Sequence, residues 1–440
     1  MIKSYLTIGL LCLGAMLHAQ LNEIEYVEYD LDNGLHVILH EDHTTPIVIV
    51  SVMYHVGAKN EKPNRSGFAH FFEHLLFEGS ENIDRGEYDK YVTSNGGALN
   101  ANTSYDRTYY YELLPSNQLE LGMWLESERM LHAKVDDKGI ETQRDVVKEE
   151  RRQRVDNQPY GSILEQSMLR AFSEHPYKSS ILGSMEDISN ATEADYKQFY
   201  NDFYTPNNAV LSIAGDLDIE QTKIWVDKYF GSIPVKNTDI FRPSVIEPPL
   251  GGEVIDTVYD NIQLPAVVYT YRTPAQGTPD FYAVSMLSTL LSGGESSRLN
   301  KTIVDEKQMA IAAGSIPLPL EDPGVLIAFG IANFGQNPAD LMMAMDEVIE
   351  SPKLDLISEE EFQKLRNQVE AQFVTSNSRI AGVAESLANY HMYFGDANLI
   401  NTELERYLAV TREDIQNAAQ KYFTRDNRVV LHYLPEPSNP

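Results

Sequence analysis

Cysteine is nearly absent. The 440-residue chain holds one, Cys12, inside its N-terminal apolar run. Without further thiols the chain cannot be stapled by disulfides or use a cysteine as nucleophile or ligand, so any metal site has to be built from His, Asp and Glu. Basic charge is scarce as well: Lys and Arg total 35 against 65 Asp and Glu, a formal net charge of −30. A surface of that sign repels phosphate backbones and argues against nucleic acid as a partner. It serves solubility first and attraction of cationic peptides second. Long apolar runs are also missing, apart from thirteen residues between Tyr5 and Leu17, which are too few for an ordinary membrane span. With Lys3 before it and His18-Ala19-Gln20 after it, this run reads as a signal peptide, residues 1–19, cut after Ala19. The expected destination is export, to a periplasm first, with secretion or membrane attachment as alternatives. Leu11 stands where a lipoprotein signal would need a small residue, so Cys12 is not expected to carry lipid.

What is present is the composition of a folded chain. Hydrophobic residues make up 42%, enough for ordinary cores, and the length suits two domains better than one. An internal repeat supports two. Thr192-Glu-Ala-Asp195 opens a segment that runs to Tyr204-Thr-Pro-Asn-Asn-Ala-Val210, and Thr411-Arg-Glu-Asp414 opens one that runs to Phe423-Thr-Arg-Asp-Asn-Arg-Val429, at a constant offset of 219. Each copy reads as a Thr-capped helix, a turn and a β-branched strand. Each half also opens on strand-like sequence, Gly34–His40 and Pro265–Tyr271, with helical stretches at Gln118–His132 and Phe281–Leu291. The expectation is an α+β fold of two homologous domains, each a largely antiparallel sheet with helices packed on one face. The N-terminal domain would span 20–238 and the C-terminal one 253–440. The Pro- and Gly-rich stretch 239–252 would link them.

One motif carries chemistry. His70-Phe-Phe-Glu-His74 places two imidazoles four residues apart, on one face if the segment is helical. Two imidazoles at that spacing can share a metal, and Glu73 borders the same face, where it can reach a water without being a ligand. The order is the inverse of HExxH and presents the same three groups. Zinc with three protein ligands and one open position is the usual catalytic arrangement. With eleven histidines in the chain, an accidental HxxEH would arise in roughly two of a hundred such sequences, so its setting matters. Phe71, Phe72, Leu75, Leu76 and Phe77 surround the polar trio and predict a packed helix, where buried imidazoles and a carboxylate need partners. With cysteine unavailable, a carboxylate is the natural third ligand. Glu149 and Glu150, after the apolar Val146-Val147, both qualify, and spacing alone does not choose between them. Tyr109, Tyr110 and Tyr111 read as sheet packing.

Taken in order, Gly67–Gly79 around HxxEH, Gly96–Thr103, Arg144–Glu150, Tyr204–Asn208, Ala214-Gly-Asp216 and Gly293–Leu299 resemble the pitrilysin/insulinase family of zinc peptidases, which includes the mitochondrial processing peptidases. The resemblance spans nearly the whole chain after the N-terminal run. It implies one Zn2+ per chain, with His70, His74 and Glu150 as ligands and Glu73 as general base, and leaves Glu149 on the helix surface. It also implies that Asn100 and Ala101 lie on an edge strand that pairs with the substrate backbone. Two departures from the family pattern stand out. Gln143 replaces a glutamate seven residues before the third ligand and is expected to hydrogen-bond a ligand from behind. Val304 and Ile311 stand where active single-chain members carry an arginine and a tyrosine that contact substrate, while Arg298 is expected to be structural. The implied protein is a zinc endopeptidase acting on peptides or small unfolded protein segments. It would be the metal-bearing subunit of a two-chain clam-shell enzyme whose homologous partner lacks zinc and supplies the Arg/Tyr pair. A non-catalytic metal-binding scaffold subunit is the alternative.

Overall fold

The computed structural model describes residues 23–437; the expected signal peptide lies outside the described residues. Two sheets organise the chain. The first contains β1 (Val27–Asp30), β2 (His36–Glu41), β3 (Ile47–Tyr54), β4 (Ala98–Thr103), β5 (Thr108–Pro115) and β6 (Ala209–Gly215) in the order β1-β2-β6-β3-β5-β4. The second contains β7 (Val254–Asp260), β8 (Ala266–Arg272), β9 (Ala310–Leu318), β10 (Val325–Ala332) and β11 (Arg428–Pro435) in the order β7-β11-β8-β10-β9. Neighbours are antiparallel except for one parallel pair in each sheet, β2 with β6 and β7 with β11. Apart from the extra strand β1, the two orders correspond one to one. The fold is α+β, as the sequence implies.

The repeat at offset 219 has a physical counterpart. Thr192 caps the helix Glu193–Phe203 and Thr411 caps the helix Arg412–Tyr422, each through a reciprocal capping box with the Asp three residues on. A single 3-10 turn follows in both, Pro206–Asn208 and Arg425–Asn427. The chain then enters β6 or β11, the strand that makes the parallel pair of its sheet.

Period-2 alternation sorts side chains between two faces. On β3, Val48, Val50, Val52 and Tyr54 join Phe71, Phe72, Met123, Leu125 and Tyr196 in the core of the first half. On β8, Val267, Tyr269 and Tyr271 pack with Met286, Leu287 and Leu291 in the second. The opposite faces are apolar too, and each is covered by the other half. Val383, Leu387 and Ala388 of the helix Ile380–Phe394 pack on Ile38, Met53 and Val210. Met168 and Ala171 of the helix Ile163–Ala171, with Phe172 and Tyr177, pack on Val268, Ile327, Val429 and Leu431. The halves therefore exchange one covering helix each, beyond the one-face packing expected. The segment between the helix Ile219–Phe230 and β7 contains no helix or strand. Among the described residues no helix is long and apolar enough to cross a membrane.

Candidate metal centre

HxxEH lies on the helix Phe68–Leu75. The helix starts at Gly67, whose φ of 87° an L side chain would resist, and an added Cβ there would meet Gly183 Cα at 2.7 Å. The first N–H groups of a helix have no partner within it. Here the Glu61 carboxylate accepts from the backbone N–H of Gly67 and of Ala69, both at 2.9 Å. Behind the helix, Phe68 stacks on Tyr196 with ring centres 4.5 Å apart, and Phe72 stacks on Phe199. Tyr110 Oη donates to the Phe72 carbonyl at 2.8 Å. These contacts fix the helix while its polar residues face away from the aromatic cluster.

The helix Asp137–Arg151 crosses alongside. It is capped by Asp136, which accepts from Gly139 N–H at 2.7 Å, and pinned by Arg144, which donates to the Ala191 carbonyl at 2.9 Å. Gln143, Val147 and Glu150 follow at spacings of four and three, so they share a face, and Val147 is fully buried there. Glu150 reaches the two imidazoles. His70 Nε2 and His74 Nε2 are 3.3 Å apart, and Glu150 Oε2 lies 3.4 Å from the first and 2.9 Å from the second. Glu149 turns to solvent and accepts from Arg152 and Gln153.

Three electron-pair donors within 3.4 Å of one another need a positive charge between them. Tetrahedral ligands at zinc bond lengths are separated by about 3.3 Å, which is the spacing seen. Glu150 Oε2 is buried without a hydrogen bond aligned on it. That suits an oxygen aimed, with the two Nε2 atoms, at a common point, so the donor set fits a zinc-type ion. The imidazoles of His70 and then His74 hold the Glu150 carboxyl far below the ordinary carboxylate range, despite partial burial. Arg154 approaches its other oxygen at 3.0 Å.

Glu73 stands beside this trio without joining it. Its Oε2 accepts a 2.6 Å hydrogen bond from Thr103 Oγ1, at the end of β4. β4 is the edge of the first sheet and pairs only with β5. On it Asn100 is exposed and Ala101 is buried, and Asn100 Oδ1 accepts from the Ala101 N–H at 2.9 Å. A free strand edge thus runs up to the carboxylate. Gln143 is aimed elsewhere: its amide nitrogen donates to Glu78, which also pairs with Arg85. Val304 is partly buried in the second core, and Ile311 is 54% exposed on the edge strand β9. Arg298 forms a two-pronged bond to Glu361, 3.0 and 2.9 Å, and donates to Ser351. Sequence reasoning assigned no role to Glu61 or Gly183, and foresaw neither the bond of Thr103 to Glu73 nor that of Arg154 to Glu150. Only Thr103 lay in a motif that drew attention.

Known proteins share this architecture. The family model described as insulinase (peptidase family M16) matches residues 36–185, and the model described as peptidase M16 inactive domain matches residues 190–369. A zinc protease of Helicobacter pylori, PqqE, is 32% identical over 431 residues, covering 97% of this chain and 96% of that one. An uncharacterized zinc protease of Bacillus subtilis, YmxG, is 24% identical over 92% of this chain and 97% of its own length. The crystal structure of a protease from Helicobacter pylori superposes with a TM-score of 0.89 at 30% identity, over 93% of this chain and all of that one. The periplasmic protease PqqL of Escherichia coli shares the fold, with a TM-score of 0.76 at 18% identity, and this chain spans 47% of it. From the extent of these matches, across both halves and nearly end to end, the chain belongs to the pitrilysin/insulinase family, peptidase family M16.

Proposed function

We propose that this chain is a zinc endopeptidase, the metal-bearing subunit of a two-chain enzyme that hydrolyses peptides or short unfolded protein segments. One observation carries the reading: His70, His74 and Glu150 converge within 3.4 Å, with the Glu73 carboxylate beside them at the end of an open strand edge. His70, His74 and Glu150 would hold the ion. Zinc, when bound, acidifies a water and polarises a carbonyl. Glu73 accepts the proton of the attacking water and delivers it to the departing amine, with Thr103 holding Oε2 so that the other oxygen is free for transfer. The peptide lies extended along β4, taking main-chain hydrogen bonds at Asn100 and Ala101. Gln143, bound to Glu78, steadies the helix that carries Glu150.

A divided enzyme follows from Val304 and Ile311, which cannot donate the hydrogen bonds of an Arg/Tyr pair. A homologous subunit without zinc would supply them. The Escherichia coli protease, with about twice this chain's span, supports an assembly of two such units. That protease is periplasmic, which agrees with export of this chain. A scaffold role is the second reading. The region matched by the inactive-domain model, residues 190–369, contains no histidine, so that description concerns the part without the metal set.

Peptide hydrolysis by the purified chain, alone and with a homologous subunit bearing the Arg/Tyr pair, tests the proposal, with Glu73→Gln as control. The expected result is activity only with the partner, and a drop of about 10²- to 10⁴-fold in Glu73→Gln with zinc content unchanged. Full activity of the chain alone would remove the partner. Zinc binding with no hydrolysis in any combination would move the assignment to the scaffold.

A further inference from the structure

β4 divides its side chains between two faces of the sheet. Leu99, Ala101 and Thr103 are on the side of the metal helix: Ala101 belongs to the first core and Thr103 bonds Glu73. Asn100 and Asn102 stand on the other face, in register with Tyr111 and Tyr109 of β5. On that second face a cavity of about 580 Å3 lies between the first sheet and the second half of the chain. Asn102, Tyr109 and Tyr111 line it from the sheet. Opposite them stand Thr375, from the last turn of the helix Glu359–Ser376, then Arg379, and Glu385 of the helix Ile380–Phe394.

The charged residues on this lining are Arg379 and Glu385. Glu385 is already taken: Arg107 donates to it at 2.5 Å and to Asn102 at 2.6 Å. That pair is neutral as a unit, so Arg379 leaves the groove with an uncompensated positive charge. Arg379 is exposed, and among the described residues its guanidinium has no hydrogen-bond acceptor and no carboxylate partner. Every other described arginine has one or the other, even those at the surface such as Arg65, Arg154, Arg366, Arg406 and Arg425. In a chain of net charge −30, where carboxylates outnumber cations, this is the one guanidinium left free, and it stands in a groove flanking the open strand edge.

A peptide paired with the β4 edge repeats the alternation of that strand, so every second side chain turns away from the metal and toward the groove face. We propose that this groove is a specificity subsite that takes an aspartate or glutamate side chain of the bound peptide, with Arg379 as the residue that recognises it. The proposal rests on the reading of β4 as the edge that binds substrate. A carboxylate beside Arg379 gains a charge-assisted hydrogen bond. A lysine in the same place meets like charge. The terminal carboxylate of a peptide continues the line of its main chain and does not project onto this face, so the group that reaches Arg379 is a side chain.

The test is a set of quenched fluorescent peptides, all amidated at the C-terminus, that carry Glu, Gln or Lys in turn at each position around the cleaved bond. In the wild-type enzyme, Glu should exceed Gln in kcat/KM by about 3- to 10-fold at one or more alternate positions, and Lys should fall below Gln there. Arg379→Gln should bring the Glu/Gln ratio at those positions to about one, and Arg379→Glu should invert the order in favour of Lys. Affinities of the same peptides for the zinc-loaded Glu73→Gln enzyme, read by fluorescence anisotropy, give the ratio without turnover. Absence of cleavage in every combination therefore bears on the peptidase reading, while the binding ratios still decide the subsite. A wild type that does not distinguish Glu from Gln at any position, or a Glu preference that persists in both Arg379→Gln and Arg379→Glu, overturns the proposal.

Discussion

Thr103→Val isolates the contact that orients Glu73. The substitution keeps the β-branched shape at the end of β4 and replaces only the hydroxyl that donates 2.6 Å to Glu73 Oε2. A hydrogen bond to a charged acceptor contributes about 1.5–3 kcal/mol. If that energy holds the carboxylate in its reacting position, kcat should fall about 10- to 150-fold, since 1.4 kcal/mol is tenfold in rate. On the proposed reading KM should change little, because the peptide would be held by the main chain of the β4 edge. Zinc content should not change, because the Thr103 hydroxyl bonds Glu73 and not His70, His74 or Glu150. Thr103→Ser restores the donor and should recover most of the rate, which a packing defect would not do. The assay is steady-state cleavage of a quenched fluorescent peptide by the assembled enzyme, with bound zinc measured on the same preparations. A Thr103→Val enzyme within twofold of wild-type kcat at full zinc occupancy would refute the positioning role.

Two other perturbations test the frame around the site. Gly67→Ala places a side chain at φ 87° and its Cβ 2.7 Å from Gly183 Cα, a backbone atom that cannot rotate away; a loss of about 2–4 kcal/mol in urea denaturation is expected, with weaker zinc binding because the His70 helix shifts. Lys59→Met removes a cation that is only 3% exposed and is shared by Asp106 at 2.9 Å, Glu321 at 2.5 Å and Asp322 at 3.3 Å across the two halves; leaving the three carboxylates without their shared cation should cost about 3–5 kcal/mol. The same junction should be acid-sensitive. Burial raises the pKa of Glu321, but the hydrogen bond from His55 and the charge of Lys59 outweigh it and bring it to about 2 from an ordinary 4.5. A pKa depressed by folding gives stability that is complete above the unfolded value, so this contribution should fade as pH falls from 4.5 toward 2. Thermal midpoints across that range should drop less steeply in Lys59→Met than in the wild type.

How far the sequence reveals the site depends on the distance along the chain over which each part is built. His70, Glu73 and His74 lie within five residues, and helical periodicity alone puts them together. Glu150 lies 80 residues away, and at the level of residue types it was indistinguishable from Glu149; the resemblance chose it. In the structure it is Val147, buried on the same face, that turns Glu150 inward and leaves Glu149 to Arg152 and Gln153. The repeat was readable because capping box, turn and strand are local features. Glu61 was not readable: it caps a helix that begins seven residues later, after an intervening loop, and no local pattern marks an acidic residue for that task. The exchanged helices were hidden for a related reason. Val383 and Leu387 have the spacing of any core-facing helix, and nothing in that spacing says which sheet they meet.

The exchange explains why a half without the metal ligands is kept. The tip between β4 and β5 is held from the second half. Asp106 accepts from the Glu321 backbone N–H at 3.0 Å, and Arg107 bridges Asn102 at 2.6 Å to Glu385 at 2.5 Å. Asn102 and Thr103 are the last residues of the edge strand, so the element that carries Thr103 is anchored by residues more than 200 positions further on. The helix that supplies Glu385 also packs on Met53 and Val210, which fixes it to the centre of the first sheet. Duplication gave two sheets with the same strand order. The first holds the converging ligands, and the second supplies a rigid brace for the strand edge beside them. That division lets positions such as Val304 and Ile311 be apolar without consequence for the brace, which depends on the β9–β10 turn and the covering helix and not on those two side chains.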